Sequence, residues 1–336
     1  MTHCFHVGHY KIGNYIDILD TLKKMKPKLS SGQDLMSSKL LKETAFSFVN
    51  ILTSLMNKSL AGGWVPQLLK LAKVVPIHKA GLLSDTNNYR PISLLSTYAK
   101  LLEKLVAPQL LWHLNSNNIL SNCQFGFRTQ HSTIHPVVLF SDYIYKAHLE
   151  KEYVISIFID LKKAFDTVDH HILLRKLQHY GIHGVALDWF SSYLTNRQQF
   201  VKLDDTNSMI MSLACGVPQG SVLGPILFLL FINDMPESIS LRTLLFADDT
   251  TYQGRNKDPL VLQVQINSQL DIANTWFCCN KLSLNISKTR YMVFTPPSAN
   301  KTVTFDIRIG DSQIERISNL SKIKAYKFVG LWIVEN

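Results

Sequence analysis

The feature that most constrains the fold of this chain is a seven-residue, largely apolar run that is followed by an aspartate. Residues Tyr153–Ile159 are β-branched or aromatic except for one serine, which is typical of a buried strand, and Asp160 follows directly. A second apolar segment leads into two acidic residues. The pattern of Leu244–Tyr252 predicts a β-hairpin with Asp248 and Asp249 at its tip. If the two strands are neighbours in one sheet, three carboxylates meet at its edge.

Three carboxylates that meet beside apolar strands raise one another's pKa and are costly to bury without a cation. Mg²⁺ resolves this conflict because it takes hard oxygen ligands and completes its shell with water and substrate phosphates. Two such ions about 3.5–4 Å apart can activate a hydroxyl and stabilise the leaving oxygen of a phosphoryl displacement. Taken alone, each acidic element is more often an ordinary turn or helix N-cap, so other motifs must decide.

The rest of the pattern alternates short helices and strands, which predicts an α+β fold, with α/β as the alternative. Apolar residues at helical spacing predict helices over residues 11–60, Ser96–Leu114 and His170–Tyr180. The last of these is followed by Gly181, a residue typical of the position just after a helix. Lys73–Lys79 is typical of an extended basic strand.

Charge and composition bound the class of partner. Lys and Arg outnumber Asp and Glu by 35 to 25, which gives a formal net charge of +10. Such a balance suits a polyanion, because neutralised phosphates release counterions, but a solvated basic face is an equal alternative. A hydrophobic fraction of 46% with 18% charged residues indicates a globular chain and excludes a disordered one.

Cysteines and apolar runs predict a soluble intracellular protein. Five scattered cysteines form no disulfide framework, which suits a reducing compartment. The longest apolar run, Val222–Ile232, is well short of the ~20 residues of a membrane-spanning helix. Cys4, His6 and His9 form a donor cluster without a second cluster at zinc-finger spacing, so a frayed terminus is preferred to a metal site.

Seven segments of the chain carry a family resemblance. Three of them are central and occur in the order Phe158–Val168, Gly216–Pro225 and Phe246–Asp249. Together they resemble the palm motifs of reverse transcriptases, most closely those of non-LTR (LINE-type) retrotransposons. The outer segments extend the resemblance: Tyr89–Leu94, Gln124–Arg128, Leu284–Thr289 and Tyr326–Leu331. Each motif alone is weak, but seven in the right order over residues 59–334 are very specific.

The resemblance implies the fingers and palm of a right-hand polymerase, with an antiparallel palm sheet backed by helices. It implies a helical N-terminal extension at residues 1–58 and a reverse transcriptase domain at 59–336. Within that domain, the fingers cover about 59–150, the palm about 153–295 and the primer-grip region about 322–334. The chain ends soon after the grip motif, so we expect a missing or truncated thumb and a fragment of a longer polyprotein.

The resemblance also implies roles for individual residues. Asp160 and Asp248 would bind two Mg²⁺ ions, with Mn²⁺ as an alternative, and Asp249 would complete the acidic triad. Phe165 matches the bulky gate against the sugar C2′, where a ring leaves no room for a 2′-hydroxyl. Gln219 would reach the nucleotide from a glycine-rich turn.

Basic residues would contact the phosphates of the substrates. Lys79 and Arg90 would neutralise the triphosphate, and Lys288 would protonate the leaving pyrophosphate. Cations and aromatic residues near the C-terminus would grip the primer backbone. These residues are Lys322, Lys324, Tyr326, Lys327 and Trp332.

The predicted partners are an RNA template, a DNA primer and dNTPs, with no membrane. The oligomeric state stays open. Two other functions remain: a catalytically inactive nucleic-acid-binding fragment of a retroelement polyprotein, and an RNA-templated RNA polymerase. The second is disfavoured by Phe165, because RNA synthesis needs room for the 2′-hydroxyl.

Overall fold

A computed structural model describes residues 14–297, 303–318 and 325–334. The chain divides into two units. The first unit comprises Met1–Ile119 and Phe165–Phe231, and the second comprises Leu120–Ala164 and Ile232–Asn336. Both units mix helices and sheets, so the structure confirms a mixed fold of the α+β kind.

The elements of the described residues are as follows. The helices are α1 Tyr15–Lys24, α2 Ser38–Glu43, α3 Ala45–Gly62, α4 Thr97–Ser116, α5 Ile134–Leu149, α6 His170–His179, α7 Gly184–Leu194, α8 Leu223–Ile232 and α9 Pro259–Cys279. The strands are β1 Leu71–His78, β2 Tyr89–Leu94, β3 Tyr153–Ile159, β4 Arg197–Leu203, β5 Thr206–Asn207, β6 Met211–Leu213, β7 Arg242–Phe246, β8 Asp249–Asn256, β9 Arg290–Phe294, β10 Arg308–Ile309, β11 Ser312–Gln313, β12 Glu315–Arg316, β13 Ala325–Phe328 and β14 Leu331–Val334.

The second unit is built on a sheet of order β12-β9-β3-β8-β7. Four of its strands are antiparallel, and the edge strand β12 runs parallel to β9. Every residue of β3 is buried, which explains why this strand has no alternation of polar and apolar residues.

Helices cover both faces of β3. The face that carries Phe158 packs on Phe140 of α5, with ring centroids 6.1 Å apart. On the other face, Gly254 pairs with Ile155 and lies against Ile266 of α9, where a Cβ would come within 2.7 Å of the Ile266 side chain. The strand that ends at Asp160 is therefore fixed from both sides.

The first unit contains a second sheet, in which β1 pairs antiparallel with β2 and parallel with β4. Helix α7 packs on α3 and α6. The fully buried Trp189 of α7 donates a hydrogen bond to the Ser59 hydroxyl of α3 at 3.2 Å. This sheet carries Arg90, one of the predicted phosphate-binding residues.

The helical character predicted for residues 11–60 is present in most of the described part of that range, but it is interrupted. The described part of that range forms α1, α2 and α3, with an irregular segment between α1 and α2. Pro27 follows α1 closely and disfavours helical conformation in the residue before it. In the same segment, a Cβ at Gly32 would come within 2.7 Å of the Ser96 backbone nitrogen, so this close approach requires glycine.

The predicted hairpin is present, but its tip is shifted by one residue. Asp249 pairs with Phe246 as the first residue of β8, so the two-residue turn consists of Ala247 and Asp248. The cluster of Cys4, His6 and His9 lies outside the described residues. In the part of the chain that the structure describes, no helix combines the length and apolarity needed to cross a bilayer.

Candidate active site

Strand register brings the predicted acidic residues to one end of the β3–β8 pair. Ile159 of β3 pairs with Thr250 of β8, so Asp160 follows on from β3 beside Asp249. Asp248 precedes Asp249 in the turn that joins β7 to β8. Asp160 thus becomes a neighbour of two aspartates that follow it in the sequence by 88 and 89 positions.

Electrostatic coupling links the three carboxylates. The pKa of Asp249 is raised to about 6, mainly because its carboxyl group loses hydration and also because the charges of Asp248 and Asp160 lie nearby. The residue as a whole is solvent-exposed, whereas its carboxyl group loses hydration to surrounding protein atoms. A cation near these groups would remove the repulsion.

The three aspartates offer the ligand type that a hard divalent cation prefers, but their side chains are not arranged around a common point. All three side chains offer carboxylate oxygens, the ligands that Mg²⁺ and Mn²⁺ prefer. Within the described ranges, however, no group of three His, Cys, Asp or Glu side chains is arranged to hold a metal ion.

Asp249→Asn is expected to stabilise the metal-free protein at pH 7–8. An unfolded aspartate has a pKa of about 3.9, so the unfolded state loses its proton first as the pH rises. The free energy of unfolding therefore falls as the pH rises from about 4 to about 6, which is the pKa of Asp249 in the folded protein. Above that pH the whole loss is present. Because solvent screens the exposed side chain, we expect a gain of about 1 kcal/mol, measured by thermal melting.

The gain should vanish below about pH 4, where both states are protonated. Asp205→Asn, a change in the exposed turn between β4 and β5, serves as the control and should not alter the pH profile. Mg²⁺ should stabilise the wild type more than the Asp249 variant, because cation binding favours the folded state. A variant that melts below the wild type at pH 7.5 would contradict this account.

Asn285 holds Asp160 in place, a role that the sequence did not reveal. Its side-chain amide donates to Asp160 Oδ2 at 2.8 Å, and its backbone N–H donates to the Asp160 carbonyl at 2.8 Å. The Ser287 hydroxyl donates in turn to Asn285 Oδ1 at 2.8 Å. Asn285 lies in the motif Leu284–Thr289, in which the resemblance had assigned a role to Lys288 alone.

Lys288 is exposed on the same turn, and its backbone N–H donates to the Asn285 carbonyl at 3.0 Å. The next residue, Thr289, is buried and accepts a hydrogen bond from the Asp160 backbone N–H at 3.3 Å. The turn is therefore attached to the acidic site, while the Lys288 side chain faces solvent.

The predicted primer grip is described in part, since Lys322 and Lys324 lie outside the described residues. Tyr326 stacks on Phe158 with ring centroids 4.1 Å apart, and its pKa is raised to about 12 by burial and then by Asp249 and Asp160. Lys327 and Trp332 are exposed and form a cross-strand pair between β13 and β14.

Phe165 and Gln219 lie on two segments of the first unit that are hydrogen-bonded to each other. The Phe165 ring stacks on Phe228 of α8 with centroids 4.5 Å apart, and its carbonyl accepts a hydrogen bond from Val217 at 2.8 Å. The Gln219 amide donates to Asp166 Oδ1 at 3.0 Å. At Gly216, where φ is +88°, a Cβ would come within 2.7 Å of the Asp166 carbonyl oxygen, so this contact requires glycine.

Lys79 and Arg90 lie at the end of the β1–β2 pair where residues 79–88 join the two strands. The Lys79 backbone N–H donates to the Asn88 carbonyl at 2.8 Å, and Arg90 pairs with Ile77. This register puts both cations on one face of the pair, and both are exposed. They can therefore act together on one anionic ligand.

Glu103, a fully buried residue of α4, was also not identified from the sequence. Its carboxylate accepts hydrogen bonds from the backbone N–H groups of Val222 and Leu223 at the start of α8, and from the Tyr193 hydroxyl at 3.0 Å. Burial raises the pKa of Glu103, although these hydrogen bonds and Arg197 oppose the shift. Glu103 thereby fixes the turn that carries Gln219.

Comparison with known proteins identifies the family. Residues 77–333 match the family described as reverse transcriptase (RNA-dependent DNA polymerase). The RNA-directed DNA polymerase from mobile element jockey of Drosophila melanogaster is 31% identical over 329 residues, which are 94% of this chain and 34% of that protein. The probable RNA-directed DNA polymerase from transposon X-element of the same species is 30% identical over 290 residues, covering 83% of this chain and 31% of that protein.

A third relative, the probable RNA-directed DNA polymerase from transposon BS of Drosophila melanogaster, is 35% identical over 66% of this chain and 24% of that protein. The chain thus spans about a third or less of the length of these relatives. The chain belongs to the reverse transcriptase (RNA-dependent DNA polymerase) family. Its relatives place it with the reverse transcriptases of non-LTR retrotransposons, which confirms the group that the seven motifs predicted.

Proposed function

We propose that this chain is the catalytic core of an RNA-directed DNA polymerase that extends a DNA primer on an RNA template. The observation that carries the proposal is the register that brings Asp160 beside Asp249, next to Asp248. The family match and the names of the relatives support the reaction class.

Asp160, Asp248 and Asp249 would hold two divalent cations, Mg²⁺ or Mn²⁺. Bound there, the ions would activate the primer 3′-hydroxyl and neutralise charge on the leaving pyrophosphate. Asn285 orients the Asp160 carboxylate toward this task through its amide. Lys288, on the turn that Asn285 begins, would donate the proton that pyrophosphate takes up.

Residues of the first unit would bind the incoming nucleotide. Lys79 and Arg90, which share a face of the β1–β2 pair, would neutralise the triphosphate, and Arg90 can add planar hydrogen bonds. Phe165, supported by Phe228, would exclude a 2′-hydroxyl from the sugar position. Gln219 would approach the nucleotide from the turn beside Asp166.

The polymerase function assigns the two sheets to the fingers and the palm of a right hand. We propose that β3, β7, β8 and β9 form the palm and that β1 and β2 belong to the fingers, within the domain at residues 59–336. Lys327 and Trp332 would contact the primer backbone, a contact that carries no base specificity. Sequence would be read by base pairing, and the duplex by its shape and phosphates.

A second candidate is an inactive nucleic-acid-binding fragment. One observation favours it: the acidic side chains among the described residues are not arranged to hold a metal ion. The net charge of +10 would still support binding. In that case binding would weaken with salt and would not depend on Mg²⁺ or on the three aspartates.

Primer extension separates the two candidates. The purified 336-residue chain is incubated with a DNA primer annealed to an RNA template, dNTPs and Mg²⁺. We expect extension that stops when EDTA removes the metal. Salt-sensitive duplex binding without any extension in Mg²⁺ or Mn²⁺ would favour the inactive fragment instead.

A further inference from the structure

The turn that carries Asp248 has an unfavourable backbone conformation. Ala247, the residue before Asp248, has φ +58°, which lies in the left-handed region that residues with a Cβ rarely adopt. Such a conformation persists only when neighbouring groups hold it. Asp248 and Asp249 follow Ala247 directly. The groups that hold the backbone of Ala247 therefore also fix the position of these two aspartates.

The side-chain amide of Gln124 holds Ala247 in this conformation. Its Oε1 accepts hydrogen bonds from the backbone N–H of Ala247 at 3.0 Å and of Gly126 at 2.7 Å. Its Nε2 donates to the Ala247 carbonyl at 3.4 Å. Both polar groups of the strained residue are therefore bound by one side chain, which is only 2% exposed.

The backbone around Gln124 fixes the amide against the turn. The Phe125 N–H donates to the Leu245 carbonyl at 2.8 Å, and the Leu245 N–H donates to the Cys123 carbonyl at 2.8 Å, so Gln124 forms a parallel β-bridge with Leu245 of β7. At Gly126, a Cβ would collide with the backbone nitrogen of Ala247. The close approach of the two segments thus depends on glycine at that position.

We propose that Gln124 is a positioning residue, which holds the Ala247 turn so that Asp248 and Asp249 can bind divalent cations. The inference rests on the proposed function, because it concerns the same acidic site. Gln124 contacts neither the nucleotide nor the cations in this account. It acts through Ala247, and its loss should weaken metal binding before it affects nucleotide binding.

Calorimetric titration with Mn²⁺, in the absence of nucleic acid, tests the proposal without relying on activity. Gln124→Met keeps the size of the side chain and removes all three hydrogen bonds to its amide. We expect Mn²⁺ affinity to fall about tenfold, the lower end for residues that orient metal ligands. In primer extension, kcat should fall and recover at higher Mg²⁺, whereas KM for dNTP should stay near the wild-type value.

The double variant Gln124→Met/Ala247→Gly supplies a rescue. Glycine adopts positive φ at little cost, so it reduces the need for a residue that holds the turn. We expect the double variant to regain most of the lost Mn²⁺ affinity. Gln124→Asn, which shortens the side chain by one methylene, is a milder second variant should the methionine variant fail to fold, and its affinity should fall less.

Gln253→Met is the matched control. Gln253 is also a fully buried glutamine of this unit, and it bonds to Ser156 within the sheet, away from the turn. The Gln253→Met variant should be less stable than the wild type but keep the same Mn²⁺ affinity. If folded Gln124 variants bind Mn²⁺ as the wild type does, or if Gln253→Met loses affinity equally, the positioning role is refuted. A wild type that binds no Mn²⁺ would refute the proposed metal site itself.

Discussion

Asp248→Asn is expected to reduce RNA-templated primer extension by about 10³-fold or more. An amide keeps the size of the carboxylate but not its charge, so it binds a divalent cation far more weakly. The loss of several kcal/mol of transition-state stabilisation corresponds to that factor, at about 1.4 kcal/mol per tenfold. The rate of single-nucleotide addition at saturating dNTP measures the effect.

Asp205→Asn is the control for this prediction, because Asp205 is likewise an exposed aspartate in a hairpin turn. It should extend primers at the wild-type rate. Both variants should bind the RNA–DNA duplex with the same dependence on salt, since cationic residues dominate that binding. An Asp248 variant that extends primers as well as the wild type would remove this residue from the site.

Phe165→Val is expected to lower discrimination against ribonucleotides by about 10- to 100-fold. The phenyl ring stacks on Phe228, and the backbone carbonyl of Phe165 accepts a hydrogen bond from the Val217 N–H, so the residue is held in place. A smaller side chain leaves space for a 2′-hydroxyl, and a change of this size in a pocket corresponds to about 1–3 kcal/mol. The ratio of kcat/KM for dCTP and CTP on one template measures it.

Phe165→Tyr keeps the ring and should keep the discrimination, so it controls for damage to the turn around Val217. The wild type itself should strongly prefer dCTP. If it used CTP equally well, the chain would be better described as an RNA-templated RNA polymerase. If Phe165→Val discriminated as the wild type does, the gate would lie at another residue.

Local patterns predicted the parts of the fold that depend on neighbouring residues. The bounds of β3 were predicted to the residue, because a strand buried on both faces is a continuous apolar run. Helix α9 was missed although its signal is present in the sequence. Its buried residues recur at helical spacing: Leu262, Ile266, Leu270, Ala273 and Phe277.

Contacts between distant segments were beyond the sequence. The hydrogen bonds of Gln124 to Ala247 and of Asn285 to Asp160 join residues more than 120 positions apart. Both residues lie inside motifs that carry the family resemblance, but no local pattern says which backbone they meet. The conformation of Ala247 is similar, because alanine itself gives no signal for positive φ.

The roles of the eight predicted site residues stay predictions. The structure brings Asp160, Asp248 and Asp249 to one end of one sheet, with Lys288 on a turn bonded to Asp160. It brings Phe165 beside the turn of Gln219, and Lys79 beside Arg90, within the other unit. The sequence predicted that the three aspartates would converge, whereas the other groupings and the supporting residues became visible only in three dimensions.

The central claim is that three carboxylates share a pair of divalent cations. Electron paramagnetic resonance of Mn²⁺ tests it most directly, on the protein bound to a chain-terminated primer, an RNA template and the next dNTP. We predict the exchange-coupled spectrum of two neighbouring Mn²⁺ ions in the wild type, and its loss in Asp160→Asn. A spectrum of isolated ions alone in the wild type, or an unchanged coupled spectrum in the variant, would contradict the account.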